Sequence, residues 1–205
     1  TLESTSGNGR GVEITSGDVT LTDMEISGFS TSSGGAAVKL TSAGVSLTAL
    51  RVDMDANSTT NYGGHIYCFE SSIDITDSEM SRGIAEEFGG AVYLDGCNAV
   101  FDQVDFDDNL VEDPSGSIHT VGGAIYGDRA IVSIQSSTFT GNESEEDGGA
   151  IGSEPVGTWK MKNVAFTGNY AEDDGGAIYN SGGVSTSSGS WEISDSQFVM
   201  NEAHA

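Results

Sequence analysis

Carboxylates stand in clusters directly before glycine pairs in this sequence. The clusters are Glu86-Glu87, Glu145-Glu146-Asp147 and Glu172-Asp173-Asp174, and each is followed by Gly-Gly within two residues. Grouped carboxylates support two kinds of chemistry, because they coordinate hard cations such as Ca²⁺ through oxygen or act as acid and base in a cleft. They also occur on acidic surfaces that are only solvated. The elements that position these residues decide between the three.

The acidic clusters belong to a repeat. FTGNESEEDGGAI at 139–151 returns as FTGNYAEDDGGAI at 166–178, and glycine pairs recur from 34–35 to 175–176 at intervals of 29, 26, 33, 26 and 27 residues. Near the N-terminus, VEITSGDVTL from Val12 aligns with VKLTSAGVSL from Val38. A fixed period of this length is typical of repeat architectures. We therefore expect about seven units of 26 to 33 residues.

Each unit contains about three short stretches in which apolar and polar residues alternate, as AIVSIQSSTF does. Such a strand cannot bury its apolar face alone, but stacked units pair every strand with the next one and enclose a continuous core. The predicted fold is all-β, a right-handed single-stranded parallel β-helix. Residues 1–205 form one such segment, and because the last unit is cut mid-pattern we expect it to be an excerpt of a longer solenoid.

An F-x-x-N motif recurs in the later units and predicts two internal rows. Phenylalanines at one position of the coil would stack inside, while the asparagine amides would bond to adjacent rungs as a ladder. The predicted ladder residues are Phe106, Asn109, Phe139, Asn142, Phe166, Asn169, Phe198 and Asn201.

Stacking places equivalent carboxylates of consecutive coils only about 5 Å apart. Like charges at that spacing repel unless a cation, protonation or water intervenes. The sequence therefore predicts a candidate Ca²⁺ site, with a solvated acidic edge as the alternative. Its candidate ligands are Glu145, Glu146, Asp147, Glu172, Asp173 and Asp174.

Three coils are longer than the period requires, and we expect loops near 55–62, 110–121 and 181–190. Asn57 opens an N-x-[ST] sequon in the first of these, which makes it a candidate for N-glycosylation in a secreted eukaryotic protein. Cys68 and Cys97 fall on neighbouring rungs, out of register by three residues. They form either a disulfide, which would favour an extracellular setting, or two half-buried thiols.

Charge restricts the partners. With 32 Asp and Glu against 7 Lys and Arg, the formal net charge is −25, so no basic patch is available for nucleic acid. The sequence also contains no apolar span long enough to insert into a membrane. The expected partners are further coils of the same protein or other chains in a larger assembly, and glycans.

F-x-x-N followed by G-G-A-[IV] resembles the repeat of chlamydial polymorphic outer membrane proteins, well over 89–201 and more loosely before that. The resemblance implies a β-helix displayed outside the cell or on its surface, often an adhesin, and it transfers no catalytic residues. We therefore expect a structural or adhesive element, such as a stalk, passenger or fibre component. The alternative is a carbohydrate-active β-helix enzyme, which would need an Asp, Arg and His set on adjacent rungs.

Overall fold

The computed structural model describes residues 1–154, 156–181 and 189–204, which form strands and no helix. None of this described part contains a helix that could cross a membrane. In chain order the strands are β1 (Leu2–Glu3), β2 (Val12–Ile14), β3 (Asp18–Ser27), β4 (Ser30–Thr31), β5 (Val38–Leu40), β6 (Ser46–Asp55), β7 (Ser58–Thr59), β8 (Ile66–Phe69), β9 (Ser72–Ser81), β10 (Ile84–Ala85), β11 (Val92–Asp95), β12 (Asn98–Asp107), β13 (Leu110–Val111), β14 (Ile125–Asp128), β15 (Ile131–Gln135), β16 (Thr138–Thr140), β17 (Glu143–Ser144), β18 (Ile151–Ser153), β19 (Thr158–Lys162), β20 (Ala165–Thr167), β21 (Tyr170–Ala171), β22 (Ile178–Asn180), β23 (Ser190–Ser194), β24 (Gln197–Val199) and β25 (Glu202–Ala203).

The strands build three parallel sheets that run the length of the molecule. The entry sheet follows the glycine pairs and has the order β2-β5-β8-β11-β14-β18-β22. The long sheet contains β1, β3, β6, β9 and β12, continued by β15, β19 and β23 on one side of a bend and by β16, β20 and β24 on the other. The short sheet has the order β4-β7-β10-β13-β17-β21-β25. A turn passes through the three sheets in that order, which confirms a parallel β-solenoid of about seven turns.

The register of the sheets reproduces the repeat seen in the sequence. In the entry sheet Val12 pairs with Val38 and Val38 with Ile66, so the aligned segments at 12 and 38 stack directly. In the long sheet one inward column contains Ile26, Met54, Met80, Phe106, Phe139, Phe166 and Phe198. The buried side chains of this column and of the other inward columns form the hydrophobic core. Handedness stays a prediction.

The corner before the entry sheet requires glycine. Gly89 has φ +63°, and a Cβ added there would lie 2.2 Å from the carbonyl oxygen of Val92. Because only glycine adopts this conformation freely and only its missing side chain permits the close approach, a glycine pair precedes each entry-sheet strand from β5 to β22.

Inside the solenoid the phenylalanines form a continuous stack. The ring centroids of Phe106 and Phe139 are 4.6 Å apart, those of Phe139 and Phe166 are 4.9 Å apart, and those of Phe166 and Phe198 are 4.7 Å apart. Neighbouring planes differ by 10° or less. Phe198 is half exposed, whereas the other three are fully buried.

A buried asparagine ladder runs beside the phenylalanine stack. Asn109 Nδ2 donates to Asn142 Oδ1 at 2.9 Å, and Asn142 Nδ2 donates to Asn169 Oδ1 at 2.9 Å. Asn169 Nδ2 donates in turn to Asn201 Oδ1 at 2.7 Å. Each amide also donates to a main-chain carbonyl, as Asn142 does to Phe106 O at 3.0 Å. The amides therefore satisfy buried polar groups across several turns.

The expected loop at 55–62 is wrong. Residues 58–59 form β7, and Asn57 is fully buried with its amide donating to Ile26 O and accepting from Phe29 N. Asn57 is thus a ladder residue, and a glycan on its nitrogen is incompatible with this fold. Its M-D-A-N motif was missed because methionine replaces phenylalanine. The predicted loop at 110–121 begins with β13, and the irregular part follows it. Of the predicted loop at 181–190, residues 182–188 lie outside the described residues.

Candidate functional site

The acidic turn at 145–147 lies against the loop at 112–120. Glu145 Oε2 accepts a hydrogen bond from Asp113 N at 2.7 Å, and Glu146 Oε2 accepts one from Thr120 N at 3.0 Å. Asp147 Oδ2 lies 2.8 Å from His119 Nε2. All three carboxylates therefore contact the loop at 112–120, which belongs to the preceding turn.

Asp147 also connects to the following turn. It is nearly buried, and its Oδ1 accepts a hydrogen bond from Asp174 N at 3.0 Å. The side chains of Glu172, Asp173 and Asp174 are exposed. Repulsion between the two acidic turns is reduced on one side by amide donors and on the other by solvent.

The structure does not gather the six predicted calcium ligands into one cluster. Among the described residues, no group of three or more His, Cys, Asp and Glu side chains is placed to hold a metal ion. Glu87, of the earlier acidic pair, accepts a hydrogen bond from Asn61 Nδ2 at 3.0 Å. Calcium binding at the acidic turns stays a prediction.

The loop at 112–120 is shaped by Asp113, which sequence reasoning missed. Its carboxylate accepts hydrogen bonds from the hydroxyl and main-chain N–H of Ser115 and from the N–H groups of Ser117 and Ile118. These hydrogen bonds, and most of all the one from the Ser115 hydroxyl, lower the pKa of Asp113 to about 2. The D-P-S-G-S stretch could have predicted this turn, because an Asp before such residues favours a turn closed by its side chain.

Aromatic rings cover the outer face of the entry sheet. Tyr67, Tyr93 and Tyr126 follow one another in register, while Tyr62 and Phe88 form a second column beside them. The centroid distance is 4.6 Å between Tyr62 and Tyr93 and 4.5 Å between Phe88 and Tyr126. These five residues are the outer aromatic stack.

The outer aromatic stack presents ring edges rather than ring faces. The rings are stacked with angles of 12° to 30° between planes, so most faces lie against another ring. Tyr126 Oη donates to Glu154 Oε1 at 3.1 Å, and burial raises the pKa of Tyr93 and Tyr126. Because sugars stack on open ring faces, the arrangement favours a cover for the sheet over a glycan platform.

Two further residues join neighbouring turns. Cys68 and Cys97 form a buried disulfide, and they are 29 positions apart in sequence. Cys68 pairs with Leu94 in the entry sheet, so Cys97 lies three positions further along. This is the register offset that the sequence indicates.

His65 fills a gap in the asparagine ladder. The register that pairs Ile84 with Ser58 and Leu110 places Gly83 between Asn57 and Asn109, where an asparagine would be expected. The buried imidazole occupies that space instead, with Nδ1 3.0 Å from Asn57 Nδ2. Burial lowers the pKa of His65 to about 4, so the ring is neutral in the fold at pH 7. No motif marked this substitution.

The structural repeat agrees with comparisons to known sequences. Two segments match the Chlamydia polymorphic membrane protein repeat. They are residues 136–154 and 163–181, and each contains one F-T-G-N motif and one glycine pair. The resemblance to that repeat is therefore confirmed in these two turns. A search of curated proteins and a search of solved structures each find no match.

Proposed function

We propose that this protein is an extracellular, surface-displayed β-solenoid with a structural and adhesive role, serving as a stalk, passenger or fibre component. The observation that carries the proposal is the match of two turns to the Chlamydia polymorphic membrane protein repeat, whose family is associated with the outer membrane and cell surface. Its partners would be further coils of the same protein, other chains of an assembly, or glycans.

Two structural features support this role. The buried disulfide between Cys68 and Cys97 favours an oxidising compartment, because cytosolic thiols are kept reduced. The inward columns are used for packing, and the asparagine amides bond to other turns. A rod built in this way presents its outer faces to partners.

Immunolabelling of intact and permeabilised cells of the source organism tests the location. Labelling of intact cells is expected, and a signal that needs permeabilisation would overturn it. The adhesive role is tested by coating a surface with the purified chain and counting attached cells. A chain denatured before coating serves as the control.

Calcium binding is a separate part of this proposal. A thermal melt of the purified chain is recorded with and without EDTA, and with Ca²⁺ restored. A lower midpoint on chelation that Ca²⁺ reverses would support binding, because a ligand that binds only the folded state raises its stability. An unchanged midpoint would favour the alternative in which the contacts around 145–147 and solvent neutralise the acidic turns.

A further inference from the structure

A groove crosses the outer face of the long sheet in the last four turns. Hollows of about 250, 190 and 240 Å³ follow one another along the strands, from Ile131 at one end to Thr138 at the other. The first two share Ser133 and Lys160, and a further hollow lined by Gln135, Lys162 and Asn163 links the second to the third. Each hollow is smaller than an ordinary small-molecule pocket of roughly 300–1,000 Å³. Their succession suits an extended chain rather than a compact molecule.

Short side chains at the bend of the long sheet border the groove. Ser136, Asn163 and Asp195 occupy the bend in these turns, each with φ between 50° and 56°. In the first turns the same column contains Asp23 and Arg51, whose side chains lie across the bend in an ion pair.

The groove holds two lysines without carboxylate partners. Arg10, Arg51, Arg82 and Arg129 each form a salt bridge, whereas Lys160 and Lys162 form none among the described residues. They are exposed, and as alternate residues of β19 they point to the same face, roughly 7 Å apart along the strand. Lys162 can therefore meet an anionic group of a ligand directly, while Lys160 does so in competition with Glu192, its neighbour on β23.

The rest of the lining sets the ligand's chemistry. The side chains of Ser133, Gln135 and Asn163 can both donate hydrogen bonds to sugar hydroxyl groups and accept hydrogen bonds from them. At one end Ile131 is 58% exposed and Val100 is 42% exposed, which provides an apolar contact for C–H groups. Glu192 and the chain's net charge of −25 oppose a densely charged polyanion. A sugar chain with isolated carboxylates matches all three properties.

We propose that this groove binds a glycan that contains uronic or sialic acid residues, with Lys160 and Lys162 contacting its carboxylates. The proposal rests on the proposed adhesive function and gives it a site. The glycan would lie along the strands, across the solenoid axis, with its carboxylated sugar over β19.

Isothermal titration calorimetry of the purified chain with a short hyaluronan oligosaccharide, in which uronic acid alternates with an uncharged sugar, tests the site. Methyl esterification of the same oligosaccharide removes its charge and is expected to weaken binding about 10-fold, because both ammonium contacts are lost. Lys160→Gln and Lys162→Gln are each expected to weaken binding of the free acid by about 3-fold, as for exposed charge pairs. Lys39→Gln, which makes the same charge change over the ring of Tyr67, is the matched control and should leave affinity unchanged.

Three outcomes would contradict the proposal that this groove binds the glycan. These are equal binding of the acid and its ester, an equal loss in Lys39→Gln and Lys160→Gln, or tighter binding of a heparin fragment of the same length. The attachment assay separates this site from the broader function. Cells that attach equally to the Lys160→Gln, Lys162→Gln double variant would leave the adhesive role intact and remove the groove. If immunolabelling placed the protein inside the cell while glycan binding still depended on the two lysines, the groove would stand and the extracellular adhesive role would be wrong.

Discussion

The long sheet differs between its first and last turns. β3, β6, β9 and β12 are continuous strands of ten residues, whereas the later turns divide the same path into two strands on either side of a bend. The inward column changes one turn earlier, from Ile26, Met54 and Met80 to four phenylalanines that begin with Phe106 in β12. Both halves keep the same register, so one solenoid accepts two different sets of core residues.

The two halves show which features every turn of this solenoid needs and which belong only to the repeat motif. The matched repeats, residues 136–154 and 163–181, lie in later turns, where phenylalanine and asparagine recur. The first turns meet the same needs with methionine in the core and with His65 in place of a missing asparagine. The packing position and the buried hydrogen bond are therefore the requirement, and the residue type is one solution among several.

The largest expected effect comes from the phenylalanine stack. Phe139→Ala removes a fully buried ring and should lower the free energy of unfolding by about 3–5 kcal/mol, while Met54→Ala in the first turns should cost about 2–5 kcal/mol. Phe198→Ala is the control, because its ring is half exposed and its loss should cost clearly less. Urea denaturation followed by circular dichroism measures all three. Equal losses at Phe139 and Phe198 would show that the stack is not a stabilising core.

The asparagine ladder should come next. Asn142→Ala leaves the N–H of Asn109 and the carbonyl of Phe106 without this partner in a buried site, and it should cost about 2–4 kcal/mol. Asn98→Ala, on the exposed side of β12, should change stability little. The same denaturation experiment compares them. A loss at Asn142 no larger than at Asn98 would contradict the role of the ladder.

The ladder's histidine should make the first turns sensitive to acid. Burial lowers the pKa of His65 to about 4, below the unfolded value of about 6.5, so the unfolded state binds the proton more tightly. Its contribution to stability is present above about pH 6.5 and is lost as pH falls toward 4, by up to about 3 kcal/mol. Nearby Asp55 opposes the shift but does not reverse it.

Denaturation midpoints between pH 4 and 7 measure this effect, with His65→Gln as the reference for all other titrating groups. The difference in stability between the native chain and this variant should shrink as the pH falls. A difference that stays constant across this range would exclude titration of His65.

The smallest expected effect concerns the bend of the long sheet. Arg51→Asn places at the first turns the residue that the later turns have at Asn163, and it removes an exposed ion pair with Asp23. The denaturation midpoint should be indistinguishable from that of the native chain, because exposed pairs contribute little. A clear loss of stability would mean that the ion pair, and not the backbone, holds the bend in these turns.

Sequence spacing predicted most of the fold and part of the candidate sites. The glycine pairs and F-x-x-N motifs located the turns, the Phe106 and Asn109 columns and the offset between the two cysteines. The position of Asn57 was predicted wrongly, because length alone suggested an insertion where Met54 begins a degenerate repeat. The partners of Glu145, Glu146 and Asp147 were not predictable, since they belong to an irregular loop.

The sequence by itself determined the period, and with it the stacking, because a strand that is apolar on one face is stable only when the next turn repeats its pattern. Only the tertiary structure decided which groups meet across turns. His119 reaches Asp147 across 28 residues, His65 fills the space left by Gly83, and Lys160 and Lys162 remain without ion-pair partners among the described residues. Such contacts depend on where each side chain projects from a coil, and periodicity specifies the coil but not its exceptions.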